Sequence, residues 1–207
     1  MEQRTGLRER KKAQARRRIA ETAARLFAAR GYDDVSMADV AAAAEVSDQT
    51  VYNYFPAKQD LVLDRSDELR ELYARTVRER PSGVSPAQAL RPIARDDVER
   101  FRRADRGPAR GEFPALAVAS ASIRRFALEA RDQQARAVAA AITETTPAID
   151  PARARVHATA LIAVFQLIVD GIGRSVLDGT EPTAVADELT HAAEVVLGDL
   201  DAQFHAW

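Results

Sequence analysis

Apolar residues in this chain return every three or four positions and nowhere alternate convincingly at two. That period restricts the fold to helices packed on helices. Ile19, Ala23, Leu26 and Phe27 form the first such face, and Gly31 supplies its stop. Ser36-Met37-Ala38-Asp39 reads as a capping box with a shorter acid at its end. It opens a second helix on Met37, Val40, Ala41 and Ala44. A third helix begins at Ser47. It cannot pass Phe55, because Pro56 pushes the residue before it out of the α region. A longer fourth helix is expected from about Lys58, with Val62, Leu69, Tyr73 and Val77 along one side.

The rest continues in the same period. Residues 81–86, PSGVSP, form a loop by composition. Leu90, Ile93, Ala94, Val98 and Phe101 mark a helix with Pro92 near its start, and the Gly- and Pro-rich segment Arg106–Pro114 is expected to be a mobile connection. Ser120 caps a helix bearing Ile123, Phe126, Ala127 and Val138. Asp150-Pro151 is an N-cap followed by a proline at the first helical position, and that helix runs to about Leu177 before Gly179. A last helix carries Val185, Leu189, Ala193, Val196 and Leu200. The expectation is an all-α protein of about nine helices: a three-helix unit over residues 1–57 with a basic leading arm, and a larger helical unit over 58–207.

Charge narrows the partners. The 207 residues carry a formal net charge of -1, yet Arg4, Arg8, Arg10, Lys11, Lys12, Arg16, Arg17 and Arg18 crowd the first eighteen positions against Glu2 and Glu9. Such asymmetry marks a nucleic-acid or membrane surface. The absence of cysteine excludes disulfides, thiolate metal sites and thiol nucleophiles. His157, His191 and His205 fall on different helices or at the tail, without the spacing of a metal site. Asp96 and Asp97 are adjacent, so they point to different sides of a helix and make a poor acid/base pair. No Gly-rich phosphate loop or Ser-His-Asp pattern is present, so no catalysis, cofactor or metal is expected. The basic N-terminus has no apolar segment after it, and Ala158–Val169 is too short to span a bilayer. A cytoplasmic protein without a membrane partner is expected.

The third helix carries the most information. Val51 and Phe55 lie four apart on one face, which pins the helix to the two before it. The polar residues Ser47, Asp48, Gln49, Thr50 and Asn53, with the phenols of Tyr52 and Tyr54, are left to face outward. A helix, the turn Ala44-Glu45-Val46 and a short polar helix make a helix-turn-helix arrangement, whose second helix enters the major groove.

From about Arg16 to Leu63 the chain resembles the TetR family of bacterial transcriptional regulators. The resemblance is carried by Leu26-Phe27 through Gly31-Tyr32, Ser36 through Ala41, Val46-Ser47, Thr50 through Lys58 and Asp60-Leu61-Val62. It implies that Ser36 and Met37 approach the DNA backbone, that Ser47, Asp48, Gln49, Thr50, Tyr52 and Asn53 lie on the groove-facing helix, and that Tyr54 and Lys58 hold phosphates. Arg16 and Arg17 would follow the phosphate backbone or enter the minor groove. Asp48 either accepts from a cytosine amino group or merely caps or repels. Ala57 stands where the family often has a capping Ser or Asn.

Beyond the head, the resemblance implies an effector pocket and a homodimer formed by the last two helices, reading an inverted repeat in double-stranded DNA. Pocket candidates are Tyr73, Phe101, Phe113, Phe126, His157, Phe165 and Gln166; interface candidates are Leu161, Val164, Leu189, Val196 and Leu200. Residues 120–142 loosely resemble regulators of acyl-chain or similar hydrophobic effectors. The reading is a ligand-released repressor. The alternatives are a helical small-molecule carrier or enzyme with a purely structural N-terminal bundle, and a nonspecific nucleoid-coating protein.

Overall fold

A computed structural model of the chain describes residues 2–103 and 109–206, with side chains from residue 10 onward. The side chains of Arg4 and Arg8 and the start of the expected 106–114 connection lie outside the described residues. Among the latter are nine α-helices, two short 3-10 turns and no strand.

Three helices build an N-terminal head: α1 (Glu2–Arg30), α2 (Met37–Ala43) and α3 (Asp48–Tyr54). The basic leading segment is therefore part of α1 rather than an extended arm. Lysine and arginine are good helix formers and let the helix continue upstream of its apolar face. Gly31 ends it with φ +85, a backbone that side chains with a Cβ resist. Ser36 and Asp39 complete the expected capping box: the Ser36 amide donates to Asp39 at 2.7 Å and the Asp39 amide to Ser36 Oγ at 3.0 Å. The Ser36 hydroxyl, which donates to Asp39 at 2.6 Å, the Ser36 amide and Arg30 together hold the Asp39 carboxyl down at about 2.

The fourth helix departs from expectation. Lys58–Leu61 is a 3-10 turn, and α4 begins only at Ser66 and ends at Arg78. Asp60 accepts the Ala57 amide at 2.8 Å and supplies the end-capping that Ala57 cannot. Further on come α5 (Pro86–Arg103), α6 (Phe113–Ala119), α7 (Ala121–Thr145), α8 (Pro151–Asp178) and α9 (Pro182–His205). Because α5 starts at Pro86, Pro92 sits in its interior rather than near its start. Most of α6 lies past the segment read as a connection; its seven residues, FPALAVA, offer no polar face to betray a period. Asp150 caps α8 by accepting the Ala152 and Arg153 amides, as its sequence predicts.

The body packs α4 on α7, α7 on α8, α5 on α9 and α8 on α9, around a core from Val77 and Leu90 to Leu161, Ile168 and Leu197. A second cluster fills the head with Ile19, Phe27, Val40, Val51 and Phe55. It also takes Leu61, Leu116, Ala117 and Ile123 from beyond residue 57, so the head's core closes on a patch of α6 and α7. Gly111 makes that junction tight, and Gly173 seats α6 closely on α8. A Cβ on Gly111 would fall 1.7 Å from the Ala24 carbonyl oxygen of α1, and one on Gly173 would fall 2.1 Å from the Pro114 carbonyl oxygen of α6.

The apolar helix is longer than the run first noticed. Within Pro151–Asp178 an eighteen-residue window has mean hydropathy 1.7, long and apolar enough to cross a bilayer, but 56% of it is buried inside the protein. Its faces also differ from expectation. Leu161, Val164, Leu189 and Leu200 belong to the protomer's own core, at 0%, 3%, 8% and 8% exposure. Of the interface candidates only Val196 is exposed, and the uncovered apolar residues are Val156 and Leu167 on α8 with Val195 beside Val196 on α9. A helix apolar on every side does not reveal from sequence which side its own protomer covers.

Candidate nucleic-acid interface

The outer surface of the head is set from behind. Val51 and Phe55 are both 0% exposed and seat α3 against α1 and α2. With that face fixed, helical geometry turns Ser47, Asp48, Gln49, Tyr52 and Asn53 to the exterior, all exposed. Thr50 is half-buried. The turn into α3 passes through Glu45 at φ 55, a left-handed backbone position that costs a residue with a Cβ about 1 kcal/mol. The turn at Ala44-Glu45-Val46 is where the sequence places it, but its left-handed centre carries no signal, because glycine or asparagine usually announces one.

The polar face is already internally bonded. Ser47 Oγ accepts the Thr50 amide at 3.2 Å and lies 2.8 Å from Thr50 Oγ1. Gln49 Nε2 donates to Asn53 Oδ1 at 3.0 Å across one helical turn. These bonds preorganise the amides, and any partner that engages them must replace the bonds. Asp48 stands exposed in the first turn, beside the positive end of the helix.

Other predicted contact residues are placed differently. Met37 is 7% exposed and part of the head core, so only its backbone remains at the α2 N-terminus, next to the exposed Ser36. Arg16 turns inward: its guanidinium donates to the Tyr54 carbonyl at 2.5 Å and lies 4.3 Å over the Phe55 ring. It therefore clamps α1 to the end of α3. Arg17 and Arg18 remain exposed on α1. Tyr54 is half-buried. Lys58 lies over the Tyr32 ring at 4.2 Å and donates to the Asp33 carbonyl at 3.4 Å, and burial lowers its pKa. A second lock, unmarked in the sequence, is Arg30, which donates to Asp39 at 3.3 Å and to the Asp34 carbonyl at 2.8 Å.

The pocket candidates do not share one site. Tyr73 and Phe165 stack with centroids 4.4 Å apart in the body core. His157 is 1% exposed, lies 5.4 Å from the Phe204 ring, and is held down to about 4 by burial. Phe101 packs against the body core, whereas Phe113 packs against the head cluster. Gln166 donates to Asp170 at 3.4 Å. Phe126 alone among them lines a cavity of about 390 Å³, which opens between head and body.

Residues 19–64 match the profile described as bacterial regulatory proteins, tetR family. Over those residues the head is similar to the TetR family. A curated relative, the HTH-type transcriptional regulator TcmR of Streptomyces glaucescens, is 31% identical over 97 residues, which is 47% of this chain and 43% of that protein. The chain thus matches less than half of that relative's length. Among solved structures, native NalD of Pseudomonas aeruginosa, described as the secondary repressor of the MexAB-OprM multidrug efflux pump, superposes with TM-score 0.57. It is 16% identical, covering 89% of this chain and 96% of that one. FadR of Thermus thermophilus, solved with lauroyl-CoA, gives 0.51 at 24% identity over 88% and 92% of the two chains. These likenesses establish a TetR-like fold for the body as well as the head.

Proposed function

We propose that the chain is a sequence-specific DNA-binding transcriptional regulator, acting as a dimeric repressor that a small hydrophobic effector releases. The observation that carries the reading is the division of α3: Val51 and Phe55 sealed at 0% exposure behind an exposed row of Ser47, Asp48, Gln49, Tyr52 and Asn53. A helix serving only as core filler has no need to hold such a row outward. Base reading falls to Gln49, Thr50, Tyr52, Asn53 and Asp48, and phosphate contact to Ser36, the Met37 amide, Ser47, Tyr54, Lys58 and Arg17. Arg16 is better read as a positioning residue for α3.

The dimer is supported by the uncovered stripe of Val156, Leu167, Val195 and Val196 on two adjacent antiparallel helices, the geometry of a four-helix seam with a second copy. Two-fold symmetry then sets two α3 helices roughly 34–36 Å apart, one DNA turn, over an inverted repeat. An effector entering the body must part the stacked Tyr73 and Phe165 rings and reset α4 against α7. It shifts the equilibrium only by the difference in its affinity for the two arrangements. A cytoplasmic location follows from this activity.

The test is selection of genomic duplexes bound by the purified protein, followed by gel shift across salt. Selective fragments, with an inverted repeat and affinity falling steeply with salt through counterion release, are expected. Binding to no fragment favours the carrier or enzyme reading, and equal binding to all favours a nucleoid coat.

A further inference from the structure

The cavity between head and body shares only Tyr54 with the proposed DNA face and lies outside the body core. Tyr54 and Pro56 wall it from the head, Phe126 from α7, and Leu63 from the segment joining α3 to α4. Its volume of about 390 Å³ falls in the range of small-molecule sites, roughly 300–1,000 Å³. Its charge is one-sided. Asp60, Asp64, Asp67 and Glu129 line it against a single guanidinium, that of Arg16.

The bonds already made show which of these charges stay available. Asp60 accepts the Ala57 amide, and Asp67 pairs with Arg70 at 2.9 Å. Arg16 is committed to the Tyr54 carbonyl and the Phe55 ring. Asp64 and Glu129 form no ion pair among the described residues. Asp64 is exposed, yet partial desolvation raises its carboxyl against the pull of Arg16 and Arg65. The volume therefore combines aromatic and aliphatic walls with two carboxylates outside any ion pair among the described residues, one on the head linker and one on α7. Aromatic faces attract desolvated cations and repel anions.

We propose that this junction is a binding site for a hydrophobic monocation, a compact organic ammonium or phosphonium whose apolar body lies between Tyr54 and Phe126 and whose charge faces Asp64 and Glu129. Such a ligand touches α3, its linker and α7 at once, and so fixes the angle at which the head is carried. That consequence for DNA rests on the proposed function; occupancy of the site does not.

The test uses the full chain without DNA. Tetraphenylphosphonium and tetraphenylborate share size and shape and differ in the sign of charge, so calorimetric titration with each isolates the electrostatic claim. One phosphonium per protomer is expected, with borate bound at least about tenfold more weakly, the order supplied by one close charge pair near a protein surface. The double variant Asp64→Asn with Glu129→Gln should weaken phosphonium by a similar factor and narrow the preference. Glu129→Gln alone, an exposed change on a helix, keeps the test valid if the double variant melts early. Equal binding of the two ions, no phosphonium binding, or indifference to both variants overturns the proposal. None of those results bears on selective DNA binding, which the gel shift decides separately.

Discussion

Gly111 offers the sharpest check on how head and body are joined. A methyl at that position would meet Ala24 O at 1.7 Å, Ala24 C at 2.6 Å and Ala28 N at 2.9 Å, all backbone atoms of α1. Real Cβ atoms essentially never lie within 3.0 Å of such neighbours. In Gly111→Ala the 3-10 turn Ala109–Gly111 and α1 must therefore separate by more than an ångström, and no side chain can rotate to relieve them. Overpacking of this kind costs about 1–3 kcal/mol. The upper end applies here because an ångström gap also strips dispersion contacts from neighbours on both sides. For a chain of this length about 3 kcal/mol lowers the melting temperature by roughly 6–12 °C.

Thermal denaturation followed by circular dichroism measures that shift, and amide exchange locates it. Exchange should accelerate in α1 and α6 while α5 and α9 keep their protection. The same substitution at Gly198, a helical position with nothing within 4 Å, should instead stabilise by about 0.5–1 kcal/mol through helix propensity. A Gly111→Ala protein that melts within a degree of the parent, with α1 protection intact, would refute the close seating of the head on the Gly111 turn and α6.

Four further outcomes are expected. Lys58→Ala should weaken all duplexes alike and flatten the salt dependence, whereas Gln49→Ala should change preference at particular bases; identical sequence profiles for both would defeat the division of roles. Glu45→Gly should stabilise the fold by up to about 1 kcal/mol of relieved left-handed strain, read as a higher melting temperature, and a loss of stability would show that the Glu45 side chain matters more than its backbone. His157 is held neutral in the fold at about 4 against 6.5 in an unfolded chain, so its stabilisation is full above pH 6.5 and drains as pH falls towards 4. That loss approaches roughly 3 kcal/mol, and stability-pH profiles of His157→Leu should lack the slope. Val156→Glu with Leu167→Glu should leave a folded monomer by light scattering if their exposed stripe is the seam, and an unchanged dimer would move the interface elsewhere.

What could be read from sequence was what is decided locally. The capping box of Ser36 and Asp39, the stop at Gly31, the Asp150 cap and the anchoring of α3 by Val51 and Phe55 each depend on a few neighbouring residues. Their chemistry admits one solution. Decisions about direction were less legible. Arginine serves equally on a phosphate or on a carbonyl and a ring, and only the tertiary approach of α1 to Tyr54 turns Arg16 inward. Leu161 and Val156 are both apolar residues of one helix, yet exposure separates them at 0% and 69% because α7 and α9 arrive on one side. Met37 shows the same ambiguity: a first-turn residue of α2 can offer its amide outward while its side chain fills the core.

Head and body are held at two places of unlike stiffness. At one, Gly111 meets α1 backbone to backbone, Leu116, Ala117 and Ile123 complete the head core, and Ser120 donates to Asp33 at 3.2 Å. At the other, residues 56–65 pass from α3 to α4 through a 3-10 turn, alongside an open volume of about 390 Å³. Close-packed contacts deform little, whereas a bordering void leaves room for side chains to move without losing partners. If an effector displaces α4 and α7, as the proposed function requires, the void side should yield before the close-packed Gly111 contact. The C-terminal end of α3, with Tyr54 and the Arg16 clamp, borders that void. On the proposed function, the position of α3 is then set at its last turn, remote from the core of the body, and filling the void there is the shortest physical route to changing it.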